Sequence, residues 1–361
     1  MARLGDYVKI KTGKLDANAA SNNGQYPFFT CSVEPLRIDT YSYDCECVLV
    51  AGNGDLNVKY YNGKFDAYQR TYIIESKNKD VLSVPYLYCF LDKYVEELRK
   101  QSIGGVIKYI KLGNLTEAQI PMCSISEQNG IVTNLDKVNT LISLRKQQLS
   151  KLDELVKSRF IEMFGDINTN DRGWDRQQLG ELCTIVRGGS PRPIENYLGG
   201  DVPWIKIGDA TKGDNIYLHR TKEHIIQAGV TKSRLVKSGS LIFANCGVSL
   251  GFARIITFDG CIHDGWLAME DIDERLDKVF LLQALNQMTD HFRKIAPAGT
   301  QPNLNTAIMK AYVQIIPPIE LQKEYIAFVE QTDKSKFEIQ KSLEKLETLK
   351  KALMQKYFGG T

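Results

Sequence analysis

The segment from Asn129 to Gly165 constrains the fold of this chain more than any other stretch. Its seam-forming positions recur in alternating steps of four and three residues, a heptad pattern that places two positions in seven on one helical face. We therefore predict a helix over residues 127–165, roughly 50 Å long at about 1.5 Å per residue. The seam positions are Ile131, Leu135, Val138, Ile142, Arg145, Leu149, Leu152, Val156, Arg159 and Met163.

The same pattern occurs a second time, 194 positions further along the chain. Both stretches end alike, at Phe164-Gly165 and Phe358-Gly359, and a glycine after the last turn is typical of a helix end. This second seam consists of Tyr325, Val329, Thr332, Lys336, Ile339, Leu343, Leu346, Lys350, Leu353 and Tyr357.

A long helix with one apolar face needs a partner, and the obvious partner is its own copy. We predict that the helix over residues 320–361 pairs with the first in a coiled coil, and the linking segment is long enough for the chain to return in either direction. Two unrelated amphipathic helices would not be expected to share the same period, length and end. The expected packing residues are Leu135, Val138, Ile142, Leu149, Leu152 and Val156 in the first helix and Ile339, Leu343, Leu346 and Leu353 in the second.

The apolar stripe of the first helix is wider than a two-stranded coil needs. Leu141, Leu144, Leu155 and Phe160 flank its seam. This additional apolar surface is available to another protein.

Composition limits the partners and the compartment. The chain has 361 residues and a net charge of +3, from 46 basic and 43 acidic residues, so any nucleic-acid surface must be a local patch. Among eight cysteines only Cys45 and Cys47 are close in sequence, which predicts no metal site and reduced thiols in a cytoplasmic protein. The N-terminus lacks an apolar segment. The sequence contains no run of 18 apolar residues, so no membrane span is predicted.

Residues 1–126 and 166–319 are predicted to form two globular domains with one plan. In the first, short strands rich in Val, Ile, Tyr and Phe are separated by Asn-Gly turns at residues 23–24, 53–54 and 62–63, and a helix follows from Val84 to Arg99. In the second, a helix from Val279 to Phe292 is the counterpart, and about 20 extra residues are assigned to loops 187–201 and 209–234. The predicted fold class is therefore α+β: two mixed α/β domains, joined by two long helices, in a pseudo-two-fold internal repeat.

Catalytic motifs are missing from the sequence. It contains no phosphate-binding P-loop, no nucleophile elbow, no zinc-protease motif and no Asn/Asp-Pro-Pro-aromatic tetrapeptide of a DNA amino-methyltransferase. His263-Asp264 could be an acid–base pair, but no nucleophile accompanies it, so a structural or recognition role is favoured. We expect no catalytic residue and no metal on this chain.

The loops of both domains carry arginines, lysines and amides. Arginine, asparagine and glutamine can bind base edges in pairs of hydrogen bonds, and lysine neutralises phosphates. For any one of these residues, a solvated side chain on a loop is the simpler explanation. Because the group lies beside glycine-rich turns in both domains, it predicts contact with double-stranded DNA. The candidates are Lys11, Lys14, Asn53, Lys59, Arg70, Lys108, Tyr109, Arg187, Ser190, Arg192, Lys206, Asn245, Ser249, Thr300, Gln301 and Asn303, with Lys212 among further basic residues of the second domain.

Several segments, in order, match one family. In the second half they are Val-Arg-Gly-Gly-Ser-Pro at 186–191, Gly-Gly-Asp-Val-Pro-Trp-Ile-Lys-Ile-Gly-Asp at 199–209, Gln-Pro-Asn-Leu-Asn at 301–305 and Ile-Pro-Pro-Ile-Glu-Leu-Gln at 316–322. In the first half the segment is Ile-Lys-Tyr-Ile-Lys-Leu-Gly-Asn-Leu at 107–115. With the two long helices, this order resembles the specificity subunit of type I restriction–modification enzymes.

The resemblance implies a division of labour. Each domain would be a target recognition domain that reads one half of a bipartite DNA site. The two helices would pair as an antiparallel coiled coil and set the distance between the halves. Two modification (methyltransferase) subunits would dock on the helices, and restriction (translocase and nuclease) subunits would complete the endonuclease. S-adenosylmethionine, ATP and Mg²⁺ would belong to those partners, with no cofactor on this chain. The first half lacks a clear copy of the Gly-Gly-Asp-Val-Pro-Trp segment.

Two other functions stay open from the sequence. The chain could be a coiled-coil interaction or scaffold protein, which salt-dependent, sequence-specific binding of duplex DNA would distinguish. It could also be a free-standing DNA-binding regulator, which should bind tightly without a methyltransferase partner.

Overall fold

The computed structural model describes residues 1–211, 213–247, 249–297 and 303–359. By contact the chain divides into two units. The first is Met1–Gln148 with Ile339–Thr361, and the second is Leu149–Glu338. Because each long helix crosses this division, both helices contribute residues to both units.

The first unit is a strand-rich domain with two helices before the first long one. Its strands are β1 (Ala2–Arg3), β2 (Val8–Thr12), β3 (Tyr26–Phe29), β4 (Leu36–Ile38), β5 (Tyr43–Ala51), β6 (Val58–Ala67), β7 (Thr71–Ser76) and β8 (Gln119–Ile120). Its helices are α1 (Val84–Gln101), α2 (Leu112–Thr116) and the first part of α3 (Ile125–Phe164).

Six strands of this unit form one sheet in the order β2-β7-β5-β6-β3-β4. All neighbours are antiparallel except β3 and β6, which run parallel. Alternate residues of β5 face opposite sides, as strand geometry requires. Val48 and Val50 pack in the cluster that contains α1, whereas Cys47 and Leu49 pack with Phe65 on the other side. The sheet thus has an apolar layer on each face.

One turn predicted from the sequence is wrong. Asn62 and Gly63 lie inside β6, paired with Glu46 and Cys45 of β5. Gly63 tolerates a φ of +138° there because it has no Cβ. The dipeptide therefore accommodates a distortion within a long strand and does not end it.

The second unit repeats this plan with more elements. Its strands are β9 (Asp175–Gln178), β10 (Thr184–Arg187), β11 (Leu198–Ile205), β12 (Tyr217–Leu218), β13 (Glu223–Ile225), β14 (Arg234–Val236), β15 (Leu241–Ala244), β16 (Ala253–Ile256), β17 (Gly260–Ile262), β18 (Trp266–Glu270) and β19 (Val313–Ile316). Its helices are α4 (Leu179–Leu182), α5 (Gln227–Val230), α6 (Lys278–Gln287), α7 (Thr289–Ile295), α8 (Thr306–Ala311) and the first part of α9 (Ile319–Phe358), with the second part of α3.

The six-stranded sheet of the first unit corresponds to two sheets here, in the orders β10-β18-β15-β16-β12 and β13-β11-β17-β14. β11 keeps the neighbours of β3, one antiparallel strand and one parallel strand. The positions of the long β6 are shared between β16 and β17. The two units therefore have one topology, which confirms the predicted α+β fold with an internal repeat.

The extra residues of the second unit lie in two connections. Residues 206–222 and 226–240 replace the shorter connections 30–35 and 39–42 of the first unit, and they contain β12, α5 and β14. Loop 187–201 was predicted to share the extra length, and this is wrong. Arg187 and Trp204 are 17 positions apart, and the equivalent residues of the first unit, Thr12 and Phe28, are 16 positions apart. This loop therefore has almost the same length in both units.

The helix predicted from Val279 to Phe292 is divided at Met288, whose φ and ψ of −90° and 8° end α6 and begin α7. Thr289 stabilises the break, because its single hydroxyl proton has two carbonyl acceptors within reach, Gly251 at 2.6 Å and Asn286 at 2.8 Å. α1, by contrast, is continuous.

Within the first unit, the early part of α3 lies against the late part of α9. Leu135 shares a core cluster with Met354 and Phe358, and Lys146 forms an ion pair with Glu347 at 3.5 Å. Residue numbers rise along α3 as they fall along α9, so the two segments are antiparallel here.

The second unit contains the complementary segments, also antiparallel. Phe160 and Phe164 pack edge-on against Tyr325, each at 5.4 Å between ring centroids. Arg159 pairs with Glu324 at 3.0 Å and Lys336 with Asp153 at 2.7 Å. All twenty heptad positions of the two helices are buried or half-buried.

One buried glutamine fixes the start of each long helix. The Gln128 carboxamide is fully buried; its oxygen accepts from the amide of Ser83, the N-cap of α1, at 2.9 Å. Its nitrogen donates to the carbonyl oxygens of Val81 at 2.8 Å and Cys123 at 3.0 Å.

Gln322, 194 positions later and also fully buried, makes the same three bonds in the second unit. Its oxygen accepts from the amide of Asp277, the N-cap of α6, at 2.8 Å. Its nitrogen donates to the backbone carbonyl oxygens of Arg275 at 2.8 Å and Pro317 at 2.7 Å. The repeat therefore extends to individual hydrogen bonds.

We predict that Gln128→Leu destabilises the first unit by about 3 kcal/mol, and that Gln322→Leu does the same to the second. Each substitution leaves one amide and two carbonyl groups buried without partners, at roughly 1–3 kcal/mol apiece before relaxation. Urea unfolding gives the size of the loss, and hydrogen exchange of peptides around Ser83 and Asp277 gives its location.

Gln147→Leu is the matched control, since Gln147 is exposed on the same helix. A Gln128→Leu variant with wild-type protection at Ser83 would show that the amide does not fix the helix start.

Candidate nucleic-acid interface

In the second unit, the ends of four strands bring polar side chains to one place. Arg187 ends β10, Lys206 follows β11, Asn245 follows β15, and His263-Asp264 joins β17 to β18. Strand pairing sets them side by side, because β18 pairs with both β10 and β15, and β11 runs parallel to β17.

Asp264 is the centre of this group. Its carboxylate accepts from the Ser190 hydroxyl at 2.8 Å, lies 3.0 Å from His263 Nε2 and 3.8 Å from the Arg192 guanidinium. Its carbonyl oxygen accepts from Arg187 Nε at 3.1 Å. Three predicted contact residues are thus held by one acidic residue that sequence reasoning did not include in the site. The only signal for it was its place beside His263.

The surroundings of His263 favour its neutral form. Burial lowers its pKa below the usual value, and the charges of Arg192, Lys206 and Arg187 lower it further, while Asp264 opposes them. Nδ1 accepts from the backbone amide of Gly265 at 2.9 Å, so the ring proton is on Nε2 and faces the Asp264 carboxylate. The pair therefore acts as a fixed hydrogen-bonding unit.

Lys206 is held by its neighbours. Its ammonium group is ion-paired with Glu223 and lies 5.6 Å from the centroid of the Trp204 ring. That ring lies 5.7 Å from the His263 ring. The lysine and the Asp264 group are thus adjacent parts of one surface.

Asn245 and Asn303 have a different environment. Asn245 is fully buried and donates to the Leu304 carbonyl at 3.2 Å and the Asn303 amide oxygen at 3.3 Å. Its burial favours a structural role, in which it ties residues 303–304 to the end of β15. Ser249 is half-buried in the β15–β16 turn. Thr300 and Gln301, like Lys212 and Pro302, lie outside the described residues.

The first unit builds the same surface from the same backbone hydrogen bonds. Three of them recur at equivalent positions. The amide of Gly13 donates to the carbonyl oxygen of Thr71, as that of Gly188 does to Trp266. In the same way Gly52 donates to Arg70 as Asn245 does to Gly265, and Ile110 donates to Gly52 as Leu304 does to Asn245. All six N···O distances are between 2.8 and 3.0 Å. The bridge between Asn53 and Tyr109 likewise corresponds to that between Cys246 and Asn303.

Most candidates of the first unit lie on this surface. Asn53 and Tyr109 are bridged, the amide of Gly54 donates to the Lys108 carbonyl at 2.9 Å, and the side chains of Lys14 and Arg70 are exposed on neighbouring loops. The position of Asp264 is taken by Gln69, which donates to Asp16 at 2.7 Å. The equivalent surfaces therefore differ in chemistry.

Two lysines of the first unit are less free. Lys59 is half-buried, and burial lowers its pKa. Lys11 is on β2 and pairs with Glu75 at 2.8 Å, and this hydrogen bond raises the lysine pKa. The structure places Lys11 on the strand, apart from the loops that carry the other candidates.

A family model described as "Type I restriction modification DNA specificity domain" matches residues 1–154 and again 171–351. The chain belongs to the type I restriction–modification DNA specificity family. This confirms the predicted resemblance, and the two matches confirm the internal repeat. As a member of this family the chain is a DNA-specificity subunit without a catalytic role, and it works within a restriction–modification complex.

Curated relatives agree with this assignment. The type I restriction enzyme EcoDI specificity subunit of Escherichia coli is 28% identical over 397 aligned positions, covering 99% of this chain and 87% of its own. The MjaIX specificity subunit of Methanocaldococcus jannaschii is 24% identical, covering 78% of this chain and 70% of its own.

Two solved structures share the fold of this specificity chain. The type I restriction–modification S subunit from M. genitalium has a TM-score of 0.62 at 17% identity, with 100% of this chain and 96% of that chain covered. A chain from a study of complex assembly and conformational transition of a type I system has a TM-score of 0.61 at 18% identity, with 99% and 97% covered.

Over residues 1–211, 213–247, 249–297 and 303–359, no three histidine, cysteine or acidic side chains are grouped as metal ligands would be. In the same part of the chain, none of the helices combines the length and apolarity needed to traverse a bilayer.

We predict that Asp264→Asn lowers the pKa of His263 further. The wild-type carboxylate is the group that favours the imidazolium, so its removal leaves only burial and the basic neighbours, which favour the neutral ring. The pH titration of the His263 proton signal measures the change, and with only four histidines in the chain it can be assigned with a His263→Gln variant.

Asp259→Asn is the control, because Asp259 is an exposed carboxylate of the same unit that pairs with Lys237. An unchanged or raised His263 pKa in Asp264→Asn would mean that Asp264 does not control this group.

Proposed function

We propose that this chain reads a bipartite duplex DNA site, one half with each unit, and so directs the methylation and cleavage of its complex. We assign residues 1–126 and 166–319 as target recognition domains and 127–165 and 320–361 as spacer helices, in a cytoplasmic protein. The observation that supports this is the pair of equivalent surfaces with shared backbone bonds and different side chains, such as Asp264 opposite Gln69. Two surfaces with the same backbone arrangement and different side chains are suited to two different half-sites.

The charge of these surfaces is local, as the net charge of +3 requires. Arg187 and Arg192 are exposed at the Asp264 group, with Lys206 beside them. An arginine whose side chain is already held, as Arg187 is by the Asp264 carbonyl oxygen, is oriented before it meets a base, which reduces the entropy lost on binding. The Asp264 carboxylate itself can accept from an exposed amino group of cytosine or adenine.

The helices offer a surface to the partner proteins. Leu141 and Leu144 on α3 are 45% and 49% exposed in the first unit, and Leu155 and Phe337 are 47% and 66% exposed in the second. We propose that two methyltransferase subunits cover these side chains, one for each unit, and that restriction subunits join that complex. S-adenosylmethionine, ATP and Mg²⁺ would be bound by those partners.

We expect removal of Arg187 and Arg192 together to weaken specific DNA binding by at least tenfold, since each base-specific arginine contributes about 1–3 kcal/mol. The measurement is fluorescence anisotropy of a duplex with the assembled specificity–methyltransferase complex, at several salt concentrations. Loss of phosphate contacts would also reduce the salt dependence of binding.

The matched control removes two other exposed, ion-paired cations of the second unit, Lys237 and Lys323. Equal losses in both double variants would indicate a general charge effect, and no loss in either would argue against this surface as the reader.

The spacer role gives a second test. Seven residues inserted in α3 after Ser150 and seven in α9 after Gln340 keep the heptad seam and add about 10 Å to each helix. Because one base pair occupies about 3.4 Å, we expect the unread stretch of the methylated motif to lengthen by about three base pairs. Sequencing of methylated DNA reports the motif, and the two half-site sequences are the internal control. An active variant with the original spacing would show that the helices do not set it.

A further inference from the structure

One loop of the first unit presents apolar side chains to solvent beside the basic candidates. In the segment 103–109, Val106 is fully exposed and Ile107 is 62% exposed. Neither belongs to any hydrophobic cluster of the described residues. The tip of this loop therefore contributes little to the core.

The loop is nevertheless firmly attached. Ile103 and Tyr109 exchange two backbone hydrogen bonds, of 3.0 and 2.9 Å, so the five residues between them form the tip of a short hairpin. Gly104 has a φ of +116°, which a side chain would strain, and the Lys108 carbonyl accepts from Gly54 at 2.9 Å. The apolar pair is thus held at a fixed place on the surface.

The surroundings are those of a DNA contact. Lys108 adjoins the apolar pair, and the exposed Arg70 lies on the loop that hydrogen-bonds Gly52, next to Asn53. The one acidic residue of the 52–57 segment, Asp55, is 3.3 Å from Arg99 and is therefore already paired. An apolar tip within a basic surface matches a ligand that combines phosphates with an apolar group.

Duplex DNA has one such group in its major groove, the 5-methyl of thymine. We propose that Val106 and Ile107 contact thymine methyl groups in the half-site read by the first unit, and so select A·T pairs there. This inference rests on the proposed function and adds a specific reading residue pair to it.

The test removes the methyl group from the DNA. Each thymine of that half-site, on either strand, is replaced in turn by deoxyuridine, and binding to the assembled specificity–methyltransferase complex is measured. At one or two positions we expect binding to weaken about fourfold, the value of one buried methyl group.

The protein variants complete a double-mutant cycle. With Val106→Ala and Ile107→Ala combined, binding to the thymine duplex should weaken and the deoxyuridine effect should disappear. Val81→Ala, a 41% exposed valine of the same unit outside this loop, should retain the full effect.

Specific binding that ignores deoxyuridine at every position would overturn the inference, as would a deoxyuridine effect that survives in the double variant. A half-site without an A·T pair, or a duplex kinked by the loop with no methyl dependence, would also overturn it. Each of these results leaves the proposed function intact, whereas a complex that binds no specific duplex removes both.

Discussion

The buried carboxamides of Gln128 and Gln322 connect the two kinds of structure in this chain. Each makes three hydrogen bonds. One is to the N-cap amide of a helix within the domain, α1 or α6, one is to a carbonyl two residues before that N-cap, and one is to a carbonyl at the start of a long helix. A carboxamide can accept and donate at once, and no apolar side chain can replace it without leaving buried groups unpaired. The direction in which each long helix leaves its domain depends on this contact.

A second constraint acts on the loops. The recurring bonds that place them, such as Gly52 to Arg70 and Asn245 to Gly265, join backbone groups and make few demands on the side chains. Glycine is required where the chains approach closely: a Cβ on Gly13 would lie 2.1 Å from the Ala67 oxygen, and one on Gly188 2.1 Å from the His263 oxygen. Side chains at neighbouring positions can then differ freely, as Asp264 and Gln69 do. One scaffold can in this way support two different recognition surfaces.

The long helices and the duplication could be predicted from the sequence because both depend on regular spacing. The heptad steps and the repeated Phe-Gly ends are local signals, and the fold class followed from them together with the strand and turn patterns of the two domains. Asp264 was not predicted as the centre of the site, because its role arises only when β10, β17 and β18 bring Arg187, Ser190 and His263 together. The burial of Asn245 was also invisible, since an amide after a strand has the same pattern whether it faces water or the core.

The Asp264 group shows why net charge is a poor guide to such a protein. Its carboxylate neutralises part of the charge of the nearby Arg192, and its carbonyl oxygen holds the Arg187 side chain by a hydrogen bond. A more basic surface would bind DNA of any sequence more strongly, because phosphate attraction does not depend on the bases. A surface that uses an acidic residue to orient its arginine side chains loses some of that general affinity and gains discrimination between bases. For a subunit that must choose one site among very many, the ratio of specific to general affinity matters more than affinity itself.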